Sequence, residues 1–173
     1  MNILIRRVKE EDVEVLSELS KKTFYDTFTG TCSEKDMEDF LEEYFNLNQV
    51  KKELSDNTDF YYFAEVESKP VGYIRFKEDY EALETMRKWK ALELKRFYVL
   101  KEYHGKGVAD ILIEFILNYA KNSHYEVVWL GVWEFNFRAQ NFYRKKGFKD
   151  SGYSHPFPIG NTPQTDLWYW KFI

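Results

Sequence analysis

The chain of 173 residues holds a single cysteine, Cys32, so no internal disulfide can staple it and no CxxC pair can hold zinc. Proline and glycine are scarce, at 4 and 8 residues, which leaves no flexible linker and no low-complexity tract. An excess of basic residues is absent: 25 Lys and Arg stand against 29 Asp and Glu, for a net charge of −4. The electrostatic footprint required by a nucleic-acid backbone is therefore missing. Long apolar runs are missing too. The stretch MNILIRRVKEED lacks the apolar core of a signal peptide, and nothing approaches the roughly 18 apolar residues of a membrane span. Together these absences predict a cytoplasmic protein with no nucleic-acid partner, no membrane partner and no metal.

Aromatic residues, by contrast, are plentiful: 15 Phe, 13 Tyr and 5 Trp in a chain that is 44% hydrophobic and 31% charged. That composition suits a packed core rather than disorder. The length suits one domain spanning residues 1–173.

Alternation over Asn2–Val8 reads as a strand. Glu10, Glu11 and Asp12 complement a helix N-terminus, and Val13, Leu16, Leu19, Phe24 and Phe28 form the stripe of a first helix. Ser33 with Asp36 resembles an N-cap ahead of Met37, Phe40, Leu41 and Phe45, and Asn48–Leu54 adds a candidate third helix. The run FYYFAEVESKPVGYIRF reads as a hairpin turning at Ser68-Lys69-Pro70. Glu78–Lys90 is charged and fits either a helix or a long loop. Ala91–Leu100 reads as a strand, and a helix follows to about Lys121 on the spacing of Val108, Ile111, Leu112, Phe115, Ile116 and Tyr119. Glu126–Trp133 is apolar enough for a sheet interior. A short helix over Phe137–Lys146 stops at Gly147, and strands at Lys149–Pro156 and Thr165–Ile173 close the chain. The order predicts an α/β class with a mixed sheet.

Between the third hairpin-type strand and the long helix lies EYHGKGVADIL. A Walker loop needs Gly-Lys-Ser/Thr after a spaced glycine, and a dinucleotide fingerprint needs a third glycine where Asp110 stands. Neither fits. A phosphate cradle at the helix N-terminus and a simple tight turn both remain open on this segment alone.

A second segment, WLGVWEFNFRAQNFYRKKGF, decides between them. Together, His104-Gly105-Lys106-Gly107-Val108-Ala109 and Asn136 through Phe148 resemble two motifs of the GNAT superfamily of acyl-CoA-dependent N-acetyltransferases. One is Gln/Arg-x-x-Gly-x-Gly/Ala and the other Asn-x-x-Ala-x-x-Phe-Tyr-x-Lys-x-Gly-Phe. His104 departs from the usual Gln or Arg. The resemblance implies a three-layer fold with a central mixed, mostly antiparallel sheet flanked by helices, and acetyl-CoA as cosubstrate. It places the coenzyme pyrophosphate on the amides of Gly105 to Ala109, with Lys106 either adding charge or facing solvent. It runs the pantetheine arm beside Phe97, Tyr98 and Val99, whose amides steady the reacting carbonyl, with Asn136 on the opposite side. Tyr143 matches the family tyrosine that serves as general acid.

An alkyl amine with a pKa of roughly 10.4 is over ~99% protonated at neutral pH, so the reaction needs a proton acceptor. Glu93 is the candidate base on the strand beside the thioester site, where simple alternation puts it on one face with Lys95 and Phe97; a solvated strand carboxylate is the alternative. Cys32 has no spacing relation to His104, His124 or His155, and no two histidines sit at ligand spacing.

Acidic runs at Glu34–Glu43 and at Glu78, Asp79, Glu81 and Glu84 read as solvated faces or as attraction for a polycation. Tyr25 and Asp26 are candidate acceptor-binding residues. TFYDTF, LGVWEFNFRAQNFYRKKGF and QTDLWYW further resemble the PaiA-type spermidine/spermine N-acetyltransferases, which implies a polyamine acceptor. A GNAT enzyme for another amine, such as a peptide N-terminus, an antibiotic or an amino acid, and a non-catalytic acetyl-CoA-binding regulatory protein are the alternatives. GYSHPFPIG and DLWYWKFI would provide either a homodimer surface or core.

Overall fold

A computed structural model describes residues 1–78 and 84–173. Asp79 and Glu81 of the second acidic run lie outside the described residues. Strand β1 (Leu4–Arg7) leads through helices α1 (Val13–Phe28), α2 (Glu34–Phe45) and α3 (Leu47–Leu54) to the hairpin β2 (Asp59–Val66) and β3 (Lys69–Lys77). Then come β4 (Ala91–Val99), α4 (Val108–Asn122), β5 (Val127–Trp133), α5 (Phe137–Lys145), β6 (Lys149–Pro156) and β7 (Thr165–Phe172). The strands form one seven-stranded sheet in the order β1-β2-β3-β4-β5-β7-β6. Every neighbouring pair is antiparallel except β4 with β5.

Local sequence explains the helix starts. The Ser33 hydroxyl accepts from the Asp36 amide at 3.1 Å, and Asn46 Oδ1 accepts from the Gln49 amide at 2.9 Å, so α2 and α3 each begin at a side-chain cap. Helix α4 crosses between the parallel strands and buries Val108, Leu112, Ile113 and Ile116 against Ile74, Phe76, Leu94 and Val128 on one face of the sheet. Helices α1 to α3 cover the other face, with Leu16, Leu19 and Val50 against Tyr61, Phe63 and Tyr73. Phe24, Phe28, Met37, Phe40 and Phe45 gather beside them, with Ile159. Of the C-terminal aromatics, Trp168 and Tyr169 are buried whereas Tyr153 and Phe172 are exposed, so these segments divide between core and surface.

Two sequence expectations need correction. The hairpin turns at Glu67 and Ser68, both with positive φ (51° and 62°), while Lys69 and Pro70 already belong to β3. Pro70 tolerates that place because Ala64 faces Gly72 and Glu65 faces Pro70, which leaves Val71 as an extra residue in β3 beside the proline. More consequential is β4. Phe76 faces Leu94 and Arg75 faces Arg96, which leaves Lys95 as an extra residue in the ladder. A bulge of this kind reverses the alternation. Glu93 therefore shares a face with Arg96 and Tyr98, under α1 to α3, and Phe97 lies on the opposite face with Leu94.

Candidate active site

Beyond the bulge the sheet opens. Strands β4 and β5 pair only at Ala91↔Val127, Leu92↔Val128 and Glu93↔Trp129. Both strands run on for several residues, so their C-terminal halves diverge and a cleft of about 1130 Å³ lies there. It is lined by both the glycine corner and the aromatic wall of the α1–α3 layer.

The open edge of β4 exposes backbone groups. The Leu100 amide bonds Val71 of β3, while the Val99 carbonyl turns away and accepts from His104 Nε2 at 2.8 Å. In an antiparallel ladder the inward and outward groups alternate, so Phe97 and Val99 direct their amides away from β3, toward the gap. Tyr98 directs its main chain to β3 and its ring to the α1–α3 face.

At the mouth of the gap, Gly105 and Gly107 have φ of +74° and +83°, and a Cβ on either would meet nothing within 4 Å. The first backbone bond of α4 runs from the Ile111 amide to the Gly107 carbonyl, and no side chain caps this end. The amides of Val108, Ala109 and Asp110 consequently lack acceptors among the described residues, with the helix dipole behind them. An open cradle with unspent donors fits a phosphate group. Val108 is fully buried, leaving only its main chain for this purpose. Lys106 lies outside the cleft lining, with its ammonium 5.1 Å from the Tyr103 ring.

His104 takes a specific form here. Arg138 Nη1 stands 2.6 Å from His104 Nδ1. A guanidinium can only donate, so Nδ1 accepts and Nε2 carries the hydrogen given to Val99. The imidazole thus braces the corner and holds Arg138 beside it, a residue the sequence analysis did not single out. Asn136 caps α5: its Oδ1 accepts from the Ala139 amide at 3.1 Å, which leaves the side-chain NH₂ as its group for the cleft.

Tyr143, on α5, is 6% exposed and packs edge-on against Phe97, Phe142 and Phe148. Its hydroxyl has no partner among the described residues, and burial pushes the phenol well above its usual range. It remains a proton donor through neutral pH.

The substrate-side expectations divide. Asp26 lines the cleft and pairs with Lys22 at 3.2 Å and Lys101 at 3.4 Å. Tyr25 is 38% exposed and stands outside the cleft lining. The reason is helical direction: the inward stripe of α1 carries Thr23, Phe24, Thr27 and Phe28, which turns Tyr25 outward. Glu93 lines the cleft with its charge met by Lys95 at 2.9 Å.

Sequence reasoning missed a further group on the same side. Asp166 of β7 and His155 of β6 are register partners, and both line the cleft. Gly131 of β5 makes room for them, since a Cβ there would lie 3.0 Å from Asp166 Oδ2 and 3.2 Å from His155 Cε1. Burial raises the Asp166 carboxyl from 3.8 to about 6. The indole nitrogen of Trp133, another lining residue, is buried without an acceptor among the described residues. Signals existed: an aspartate inside an aromatic strand and a glycine inside an apolar one both run against strand preference.

The profile of the acetyltransferase (GNAT) family matches residues 15–148. The chain belongs to the GNAT acetyltransferase family. An uncharacterised N-acetyltransferase of Lactobacillus delbrueckii subsp. lactis is 33% identical over 165 residues, 95% of this chain and 94% of its own. A spermidine N(1)-acetyltransferase of Thermoplasma acidophilum is 28% identical over 153 residues, 86% of this chain and 89% of its own. The crystal structure of the PaiA N-acetyltransferase from Thermoplasma acidophilum in complex with coenzyme A superposes with a TM-score of 0.79 at 24% identity, across 100% of both chains. That likeness establishes the fold. As a GNAT member the chain is an acetyl-CoA-dependent N-acetyltransferase.

Proposed function

We propose that this GNAT enzyme acetylates a primary amine and that its acceptors are polyamines such as spermidine and spermine. The observation that carries the reading is the continuity of one cleft from the glycine corner to an aromatic and acidic chamber. Phe24, Phe28, Phe40, Trp133 and Phe157 line that chamber, as do Asp26, Glu93 and Asp166. Ring faces and carboxylates attract alkylammonium groups, and the methylene stretches of a polyamine suit the apolar wall between them. Similarity to a spermidine N(1)-acetyltransferase over most of both chains supports the same acceptor class.

On this reading the residues divide the work. The amides of Gly105, Gly107, Val108 and Ala109 bind pyrophosphate, and Arg138, braced by His104, adds positive charge beside them. Phe97, Tyr98 and Val99 line the path of the arm, with the outward amides of Phe97 and Val99 holding its amides and reacting carbonyl, and Asn136 binding from the facing side. Acetyl-CoA, when bound, supplies the activated acyl group. Tyr143 donates its hydroxyl proton, or a hydrogen bond, to the departing sulfur.

Release of free thiol from acetyl-CoA tests the reading, with spermidine, spermine, a diamine, a peptide amine and no acceptor as parallel arms. Spermidine- or spermine-dependent release is expected. Release with the peptide amine alone would overturn the acceptor class.

A further inference from the structure

Among the described residues five carboxylates line the cleft, and four of them are met. Asp26 holds Lys22 and Lys101, Glu53 holds Arg75 and Arg96, Glu93 holds Lys95, and Asp110 holds Lys146 at 2.7 Å. Asp166 differs. Its side chain is only 16% exposed, yet among the described residues no donor lies within hydrogen-bond distance. The nearest cation-forming group is His155, whose Nε2 stands 3.9 Å from Asp166 Oδ2.

His155 does not compensate for this. Its Nδ1 accepts from Trp168 Nε1 at 2.5 Å, so the neutral ring carries its hydrogen on Nε2. Burial first, and then Lys95, hold its pKa down against the opposing pull of Glu93. A neutral Nε2–H thus points a donor toward Asp166 across a gap too long for a direct hydrogen bond. Such a gap accommodates a third group, a water or an amine nitrogen.

From this geometry we infer that Asp166 receives the acceptor amine as its ammonium ion and takes the proton that must leave before attack, with His155 as a positioning residue. The inference rests on the amine-acetyltransferase reading above. A mostly buried carboxylate without a partner is costly in the empty protein, and an incoming alkylammonium ion removes that cost. Selectivity for cationic acceptors follows.

The proton ledger closes. One proton passes from the ammonium to the Asp166 carboxylate and on to solvent. The nitrogen lone pair then forms the C–N bond as the C–S bond breaks. The remaining surplus N–H proton ends on the sulfur, delivered on the side of Tyr143. Ammonium and thioester give amide, thiol and one released proton. The raised Asp166 pKa supports the role, because a base that titrates near 6 is charged at neutral pH and stronger than an ordinary aspartate. Of the charged and titratable groups, His155 of β6 stands nearest and Asp166 also acts on Tyr98 of β4, while Glu93 and Lys95 of β4 act on His155; the facing positions of β5 are Gly131 and Trp133.

The test compares wild type with Asp166→Asn, using spermidine as the amine. Calorimetric titration of spermidine into the protein without acetyl-CoA is expected to lose at least roughly tenfold in affinity. Steady-state kcat/KM is expected to fall by roughly 100-fold or more, the lower end for an acid–base group, while acetyl-CoA affinity stays within a few-fold. The acid limb of the pH profile near 6 should vanish in the variant. A second variant, Gly131→Ala, crowds Asp166 without removing its charge and should lower kcat/KM in the same direction. Spermidine affinity, kcat/KM and the acid limb all unchanged in Asp166→Asn would overturn the inference. A loss confined to KM with the limb retained would overturn the proton role. If wild type turns over no amine at all, the functional reading fails, and the calorimetric comparison still decides whether Asp166 holds an ammonium.

Discussion

Glu53 and Asp166 line the same cleft, on the same side of the sheet, and the fold treats them in opposite ways. Glu53 receives Arg75 at 2.8 Å, Arg96 at 2.9 Å, the Tyr61 hydroxyl at 2.5 Å and Gln49 at 3.0 Å. Arg75 is held in turn by Asp59 at 2.5 Å. Burial pushes the Glu53 carboxyl up, but Arg96 and Arg75 outweigh it and hold the group below its usual value. For Asp166 burial acts without opposition, and the carboxyl rises. The contrast separates two uses of a buried charge. A saturated network ties α3 to β2, β3 and β4 and fixes the floor of the chamber. An unsaturated carboxylate stores a binding preference that only a cation from outside can meet.

The largest effect expected breaks the saturated side. Glu53→Ala strands the buried Arg96 guanidinium and the Tyr61 hydroxyl and leaves Arg75 to Asp59 alone, and removing one member of a buried ion pair costs about 3–5 kcal/mol. Urea denaturation should show this as a lower midpoint. A loss below about 1 kcal/mol would mean that water replaces the carboxylate, and the two neighbourhoods would then differ less than their contacts indicate.

A somewhat smaller effect belongs to the reaction rather than the fold. Tyr143→Phe removes the free hydroxyl and leaves the ring contacts with Phe97 and Phe148 in place. Turnover should fall by about 100-fold, near 2.7 kcal/mol, with acetyl-CoA affinity nearly unchanged. Equal losses in turnover and in cofactor affinity would make Tyr143 a packing residue. The unsatisfied side of the comparison would then shrink to Asp166 alone.

The two neighbourhoods also differ in how far sequence could reveal them. Gly105, Gly107, Asn136 and Tyr143 are legible because each sits in a local motif, where a turn, a cap or one helical face fixes its place. The stripe of α4 and the apolar run of β5 are legible for the same reason. Asp166 and His155 are not, since they meet through the register of β6 on β7, and Gly131 opens room for them from a third strand. The reversed face of Glu93 escaped too: the bulge at Lys95 is set by pairing with β3, and no glycine marks it. Likewise the turn at Glu67-Ser68 holds two residues other than Gly, Asn or Asp at positive φ, so Pro70 drew the expectation toward itself.

The smallest effect expected sharpens the comparison by its sign. A carboxyl raised from 3.8 to about 6 in the folded protein binds its proton more tightly there than in the unfolded chain. Its contribution to stability is fully present below pH 3.8 and is lost as pH rises through about 6. At neutral pH the wild-type protein therefore carries a penalty, with an upper bound of about 3 kcal/mol for such a difference. Asp166→Asn keeps the shape and removes the charge, and it should stabilise the protein by about 2 kcal/mol at pH 7 to 8 once the partial exposure of the side chain is allowed for. The gain should fade toward pH 4, where wild type is protonated. Glu53 predicts the reverse slope, because its lowered pKa makes stability fall as pH drops through the carboxylate range. Thermal melts of wild type and Asp166→Asn at several pH values between 4 and 8 test this directly. If Asp166→Asn is less stable at every pH, Asp166 has a partner in the empty protein, and its carboxylate belongs with Glu53 among the structural charges.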